Sequence, residues 1–101
     1  MQEIKLELNE RNRGGFYLSE GSERIGEMEV SIADDTITVY HTEVDPAYEG
    51  KGYAKLLLNA MVEHARNNHL KVIALCPYVH VQFSRHPDQY ADIWQKEIFT
   101  K

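Results

Sequence analysis

The sequence has little cysteine and no long apolar run, and each shortage excludes a class of protein. Cys76 is the only cysteine among 101 residues, so the chain cannot form an internal disulfide. No apolar stretch reaches the roughly 20 residues that a membrane-spanning helix needs. The N-terminus, MQEIKLELNE, also lacks the pattern of a signal peptide. We therefore expect a cytoplasmic protein.

Positive charge is scarce as well. Eleven Lys and Arg residues face sixteen Asp and Glu residues, which gives a formal net charge of −5. Such a chain is repelled as a whole by nucleic acid and by anionic membranes, so we expect neither as a partner. An anionic ligand would have to be held locally. The five histidines show no pair at the four-residue helical spacing of zinc ligands, and we predict no metal site.

Length and composition are those of one small globular domain. With 43% hydrophobic and 27% charged residues, we expect residues 1–101 to form a single domain with a modest core, as a monomer or weak dimer. Alternating apolar and polar residues predict strands near 4–8, 16–18, 27–32 and 36–44. The short turns between them favour an antiparallel meander.

The second half of the chain predicts helices and one more strand. Asp45 and Pro46 end the fourth strand, an amphipathic helix covers residues 51–67, and the apolar run KVIALC at 71–76 predicts a fifth strand. A strand, a helix and a strand form a right-handed crossover, so the last two strands should be parallel. Pro77 suits a helix start, and Tyr90 and Trp94 belong to a last short amphipathic segment. The fold class is α/β (α+β): a mixed sheet of about five strands, a central helix after the fourth strand and short C-terminal helices.

The segment HTEVDPAYEGKGYAK at 41–55 joins the fourth strand to the central helix through a glycine turn. Unpaired N–H groups and the positive end of the helix dipole favour an anion at such a point. The pattern is neither a P-loop, because no hydroxyl residue follows Lys51 or Lys55, nor a dinucleotide fingerprint, because Lys55 stands where the third glycine is needed. The alternative is a glycine turn that only permits a tight bend.

The sequence EGKGYAKLLLNAMVEHA after a strand resembles the acyl-CoA-binding segment of the GNAT superfamily of N-acetyltransferases. The superfamily signature is Arg or Gln, two residues, Gly, one residue, and Gly or Ala. Gly52 and Ala54 stand at its fourth and sixth places, whereas Glu49 departs from it at the first. HTEV before the turn and CPYV followed by RHP resemble more narrowly the small single-domain Yjdj-type subgroup.

This resemblance implies a single-domain GNAT-like acyl-CoA N-acyltransferase fold with acetyl-CoA as co-substrate. The acceptor would be an amine on a small molecule, a protein or a peptide. The alternative is a non-catalytic module that binds or senses acyl-CoA. By the same resemblance, N–H groups of residues 50–54 bind the CoA pyrophosphate and the strand edge at Thr42 and Val44 pairs with the pantetheine amides. The implied cofactor-binding residues are Thr42, Val44, Glu49, Gly50, Lys51, Gly52, Tyr53 and Ala54.

Two ionisable residues near the end of the fourth strand are candidate bases for the acceptor amine. His41 and Glu43 share strand parity with Ile37 and Val39, so we expect both on the apolar face, where pKa values are often perturbed. Either residue could take a proton from an ammonium group. The alternatives are that Glu43 reaches solvent at a fraying strand end and that His41 is a hydrogen-bonded core histidine.

Cys76 and Tyr78 follow the fifth strand and are the remaining catalytic candidates. A helix start after Cys76 favours its thiolate, which could attack the acetyl thioester, and its thiol could instead protonate the departing CoA. The alternative is a small apolar core residue. Tyr78 is the alternative acid, or else an ordinary packed aromatic residue.

Overall fold

The computed structural model describes residues 2–96, which form a five-stranded sheet with helices packed against it. The strands are β1 (Gln2–Leu8), β2 (Arg13–Glu20), β3 (Glu23–Ala33), β4 (Thr36–Val44) and β5 (Lys71–Ala74). They lie side by side in chain order. The first four are antiparallel, and β5 runs parallel to β4. The predicted meander, mixed sheet and parallel pairing are confirmed.

The helices are α1 (Tyr53–Asn67), α2 (Pro77–Arg85) and α3 (Pro87–Tyr90), and one 3₁₀ turn (Pro46–Tyr48) precedes α1. Helix α1 begins two residues later than predicted, because Gly52 is its cap and has a left-handed backbone. No helix within residues 2–96 combines the length and the apolar character that crossing a membrane requires. Trp94 does not continue a helix but forms a parallel bridge beside Val72 of β5.

One face of the sheet carries the core. Helix α1 packs on β2, β3 and β4, and α2 packs on β4 and β5. Buried residues of the sheet, of α1 and of α2 form one continuous hydrophobic cluster, so both helices lie on the same face. The opposite face carries acidic side chains such as Glu27, Glu29 and Glu43, and no helix of the described residues covers it. The fully buried residues are Leu18, Met28, Val30, Ile37, Val39, Leu57, Leu58, Met61, Ala65, Val72, Val79 and Phe83.

A β-bulge in β4 changes which side chains face the helices. Val39 lies opposite Val30 and His41 lies opposite Glu29, so Tyr40 is an extra residue with no partner of its own in the register. An extra residue moves the following side chains to the other face, because a strand alternates with a period of two. Thr42 and Val44 therefore face the helices.

Candidate active site

The edge of β4 is open beyond the bulge. Pairing with β5 ends at Val39 and Ala74, where the N–H groups of Leu75 and Cys76 both donate to the Val39 carbonyl, at 3.1 and 2.9 Å. The chain then turns away into α2, while β4 continues to residue 44. No other strand of the described residues runs beside this part of β4 on that side.

The backbone direction at this edge follows from one hydrogen bond. The Asp45 N–H donates to the Ile25 carbonyl of β3 at 2.8 Å, and backbone groups alternate in direction along a strand. The N–H and C=O groups of Thr42 and Val44 therefore point away from β3, to the open edge. An extended ligand with amide groups can pair with them as an added strand would.

The glycine turn follows directly. Gly50 has a φ of +82° and Gly52 a φ of +80°, which L side chains adopt only with strain. A Cβ added at either glycine would meet no atom within 4 Å, so the requirement is one of backbone conformation rather than of space.

Helix α1 begins in this turn without a side-chain cap, and its first turn contains no acidic residue. The Leu56 N–H donates a hydrogen bond to the Gly52 carbonyl at 3.2 Å. The N–H groups before it have no partner within the helix, and they carry the positive end of its dipole. This combination favours an anion.

A cleft of about 310 Å³ connects the open edge with the glycine turn. Most of the predicted cofactor residues line it, but Lys51 does not. Lys55, which the sequence offers as a possible phosphate partner, lines it as well, and Tyr48 is a lining residue that was not predicted. The sequence signal for Lys55 is its position in the first turn of α1, while Tyr48 depends on a 3₁₀ turn that the pattern does not show. The lining residues are Thr42, Val44, Tyr48, Glu49, Gly50, Gly52, Tyr53, Ala54, Lys55 and Tyr78.

Glu49, the residue that departs from the superfamily signature, is exposed and ends the 3₁₀ turn in an extended conformation. Its carboxylate therefore remains in contact with water. Lys55 lines the same cleft and supplies a positive charge.

Tyr78 lies in the first turn of α2 and lines the cleft. Burial is the main cause that raises the pKa of Tyr78 above its ordinary value, with smaller contributions from Tyr90 and Cys76. A phenol is already protonated in neutral solution at its ordinary pKa, and the upward shift keeps it so.

Cys76 is the last residue before α2 and is only 1% exposed. Its sulfur lies 3.2 Å from the hydroxyl oxygen of Thr42, and either atom can be the donor. The side chain thus lies where β4 and β5 separate. Its catalytic role stays a prediction.

The predicted placement of His41 and Glu43 on the apolar face is wrong. Their side chains are 56% and 67% exposed, with His41 Nε2 at 3.6 Å from Glu43 Oε1. The bulge at Tyr40 turns both to the uncovered face of the sheet. The sequence contains one sign of this bulge: Val44 is apolar, but simple alternation along the strand would place it on the face opposite to Ile37 and Val39. Their roles as bases stay predictions.

Comparisons with known proteins identify relatives of this fold. The family model described as GCN5-related N-acetyl-transferase matches residues 15–93. A GCN5-like protein from Staphylococcus aureus, solved by NMR, is 34% identical, with 91% of this chain and 86% of that chain covered and a TM-score of 0.66. PaiA N-acetyltransferase from Thermoplasma acidophilum, solved in complex with coenzyme A, is 18% identical over 77% of this chain and 50% of that chain, with a TM-score of 0.53.

The ribosomal-protein-S18-alanine N-acetyltransferase of Escherichia coli is 20% identical over 63% of this chain, with a TM-score of 0.58, and the present chain covers 41% of its length. At this identity the likeness shows the fold alone. No curated protein sequence matches the chain. The GNAT resemblance and fold class are confirmed, while the Yjdj-type subgroup stays a prediction. Because the family model matches most of the chain, and the S. aureus relative covers nearly all of it, the protein belongs to the GCN5-related N-acetyltransferase family.

Proposed function

We propose that the protein binds acetyl-CoA in the cleft and transfers its acetyl group to an amine. The observation that carries this proposal is the continuity of two binding features: the open edge at Thr42 and Val44 leads directly to the glycine turn at the start of α1. The first suits an extended arm with amides, and the second suits a pyrophosphate. Coenzyme A carries both groups in that order. The CoA complex of the T. acidophilum relative supports the choice of ligand.

Local attraction has to overcome the charge of the whole protein. The net charge of −5 repels an anionic cofactor. The N–H groups of residues 50–54 and the ammonium group of Lys55 are the positive features beside the cleft. In this proposal they hold the pyrophosphate, and the backbone of Thr42 and Val44 sets the depth of the acetyl group.

For direct transfer, the amine nitrogen attacks the thioester carbonyl carbon. A C–N bond forms, the C–S bond breaks, and CoA leaves as a thiolate. Tyr78 is our first candidate to protonate this thiolate, because it lines the cleft and its phenol carries a proton in neutral solution. Cys76 is the second candidate. Glu43 or His41 would take the proton from the ammonium form of the acceptor before the attack. The second proton, which the nitrogen loses as the amide forms, would return to the Tyr78 phenolate.

A two-step route is also open to Cys76. Its thiolate would attack the carbonyl carbon, release CoA and form an acetyl-cysteine, which the amine would then cleave. In either route the exposure of His41 and Glu43 means that an acceptor using them approaches from the uncovered face of the sheet.

Isothermal titration with acetyl-CoA and with CoA tests binding. We expect dissociation constants of roughly 1 μM to 1 mM, the range of enzyme substrates. The proposed phosphate site consists of the N–H groups of residues 50–54 and the Lys55 ammonium group, so added inorganic pyrophosphate should compete for it and weaken the binding of CoA. If neither ligand binds in that range, the proposal fails.

Transfer is tested by measuring CoA release across a panel of amines. Tyr78→Phe should lower the rate by about 100-fold, the loss expected for a general acid. Tyr40→Phe is its control, because Tyr40 bonds Ser31 away from the cleft. Glu43→Gln is paired with Glu27→Gln, since Glu27 lies opposite it on the same exposed face. Binding without CoA release for any amine would overturn the transfer and leave an acyl-CoA-binding module.

The two routes differ in a covalent intermediate. Mass spectrometry of protein mixed with acetyl-CoA should detect acetyl-Cys76 if the two-step route operates, and Cys76→Ala should then abolish both the adduct and the release of CoA. Cys76 is the only cysteine, so any thiol adduct is assigned without ambiguity. If no adduct is detected and the Cys76→Ala rate is unchanged, Cys76 is removed from both roles.

A further inference from the structure

The bulge at Tyr40 gives Thr42 two different contacts. Its main-chain groups point to the open edge of β4, and its side chain points toward the helices, where Oγ1 lies 3.2 Å from the sulfur of Cys76. Simple alternation from Ile37 and Val39 would have placed this hydroxyl in solvent, on the opposite face. We propose that Thr42 is a positioning residue for Cys76, and that its hydroxyl orients the sulfur and stabilises the thiolate. This inference rests on the proposed function where it gives Cys76 a part in acetyl transfer.

The surroundings of Cys76 make this hydrogen bond important. The residue is 1% exposed, so water is largely excluded from the sulfur. A thiolate can only accept hydrogen bonds, and a buried charge without a donor is costly. Among the described residues, Thr42 supplies the side-chain hydrogen bond to the sulfur. In the neutral state the thiol can donate to Oγ1, and after deprotonation the hydroxyl rotates and donates instead.

The backbone of Cys76 is fixed independently. Its N–H donates to the Val39 carbonyl at 2.9 Å, and its carbonyl accepts from the His80 N–H at 2.9 Å. With the main chain held at both ends, the remaining freedom is rotation of the side chain. The Thr42 hydroxyl selects the rotamer in which the sulfur lies against β4.

The same hydrogen bond serves both roles proposed for Cys76. If the thiolate attacks the acetyl carbon, a bond from the cysteine sulfur to carbon forms, and the bond from carbon to the CoA sulfur breaks. If Cys76 instead protonates the departing CoA, its proton moves to the CoA sulfur and a cysteine thiolate remains. Each route therefore contains a Cys76 thiolate. Because the Thr42 backbone lies on the edge that would pair with pantetheine, the sulfur is also tied to the register of the ligand.

The test is the pH dependence of alkylation of Cys76 by iodoacetamide, followed by mass spectrometry. Thr42→Val removes the hydroxyl and keeps the branched shape, Thr42→Ser restores the hydroxyl, and Thr38→Val makes the same change on the opposite face of the same strand. A hydrogen bond to a charged group is worth about one to two pH units in such a profile. We expect Thr42→Val to move the midpoint of the pH profile of Cys76 alkylation upward by about one to two pH units. Thr42→Ser and Thr38→Val should superpose on the native profile.

Because a reagent reaches the buried sulfur only when the site opens, the same midpoints are also read from the ultraviolet absorbance of the thiolate, with the Cys76→Ala variant as the blank. This second readout needs no reagent and reports the thiol in its native contacts. A Thr42→Val profile that superposes on the native one overturns the inference. A Thr42→Ser profile displaced as far as that of Thr42→Val also overturns it, since the hydroxyl would then not be the cause. Alkylation requires neither acetyl-CoA nor an amine, so failure of the proposed acetyl transfer would be seen separately.

Discussion

Gly52 is the position where the folding and binding roles of the glycine turn can be separated by one substitution. Its φ of +80° is unfavourable for any residue with a Cβ, while an added Cβ would meet no atom within 4 Å. Gly52→Ala should therefore cost about 1–2 kcal/mol, from backbone strain alone. Gly21 is a matched control, because its φ is +63°, it also has open space, and it lies in the turn between β2 and β3. Gly21→Ala should cost a similar amount.

The two variants should differ in binding. In Gly52→Ala the added Cβ disfavours the left-handed backbone at the start of α1, and even a small shift there displaces N–H groups that would hold the pyrophosphate. Losing one hydrogen bond to a charged group, worth about 1.5–3 kcal/mol, weakens acetyl-CoA binding by about 10- to 150-fold. Gly21→Ala leaves the cleft intact and should bind like the native protein.

Urea unfolding measures the stability cost, and isothermal titration with acetyl-CoA measures the binding cost. S-acetylpantetheine, which lacks the pyrophosphate, provides a second control, since its affinity should change little in Gly52→Ala. Equal destabilisation of the two variants with equal affinity for acetyl-CoA would refute the reasoning, because the turn would then serve the fold and not the ligand.

Two further predictions concern stability. Arg66 donates to both carboxylate oxygens of Asp92, at 2.9 and 3.2 Å, and this hydrogen bonding is the main cause that lowers the pKa of Asp92. Because the pKa of Asp92 is lower in the folded state than in the unfolded state, the ionised carboxylate stabilises the fold at pH values above the unfolded pKa, which is near 4. This stabilisation is lost as the pH falls through the folded-state pKa. Asp92→Asn should therefore reduce the free energy of unfolding by up to about 1 kcal/mol at neutral pH, because the pair is partly exposed. The difference should shrink as the pH falls below about 4, and an equal difference at neutral and at acidic pH would contradict the assignment. Phe83 is fully buried and stacks on Tyr90 with ring centroids 4.4 Å apart. Phe83→Ala should therefore lower the free energy of unfolding by about 3–5 kcal/mol. Val81 is a 42% exposed residue of the same helix, and Val81→Ala should lower it by about 0.5 kcal/mol or less. Similar urea midpoints for these two variants would show that the core does not depend on Phe83.

The features that the sequence predicted well depend on local patterns. The alternation of Ile4, Leu6 and Leu8 is a property of one strand, and the strands of a meander meet through short turns, so their order follows from the chain. Gly50 and Gly52 likewise predict a turn before a helix, and both have the left-handed backbone that glycine adopts easily. The crossover rule then fixes β5 parallel to β4.

The errors depend on long-range pairing. Tyr40 forms a bulge only in relation to its partner strand, because Val39 and His41 pair with consecutive residues of β3. Simple alternation along β4 alone would place His41 and Glu43 on the face that the helices cover and Thr42 on the uncovered face, which is the reverse of the structure. Trp94 is a second case, since its position beside Val72 is set by contact with β5 and not by the helical spacing around it.

The central claim is that acetyl-CoA lies along the open edge of β4 with its pyrophosphate at the start of α1. An NMR titration of ¹⁵N-labelled protein with CoA tests this most directly, because backbone N–H groups are the proposed ligands. The largest amide shifts should be those of Thr42, Val44 and residues 50–54, with little change on the uncovered face around Glu27 and Glu29. Shifts confined to that face, or no shifts at a millimolar concentration of CoA, would contradict it.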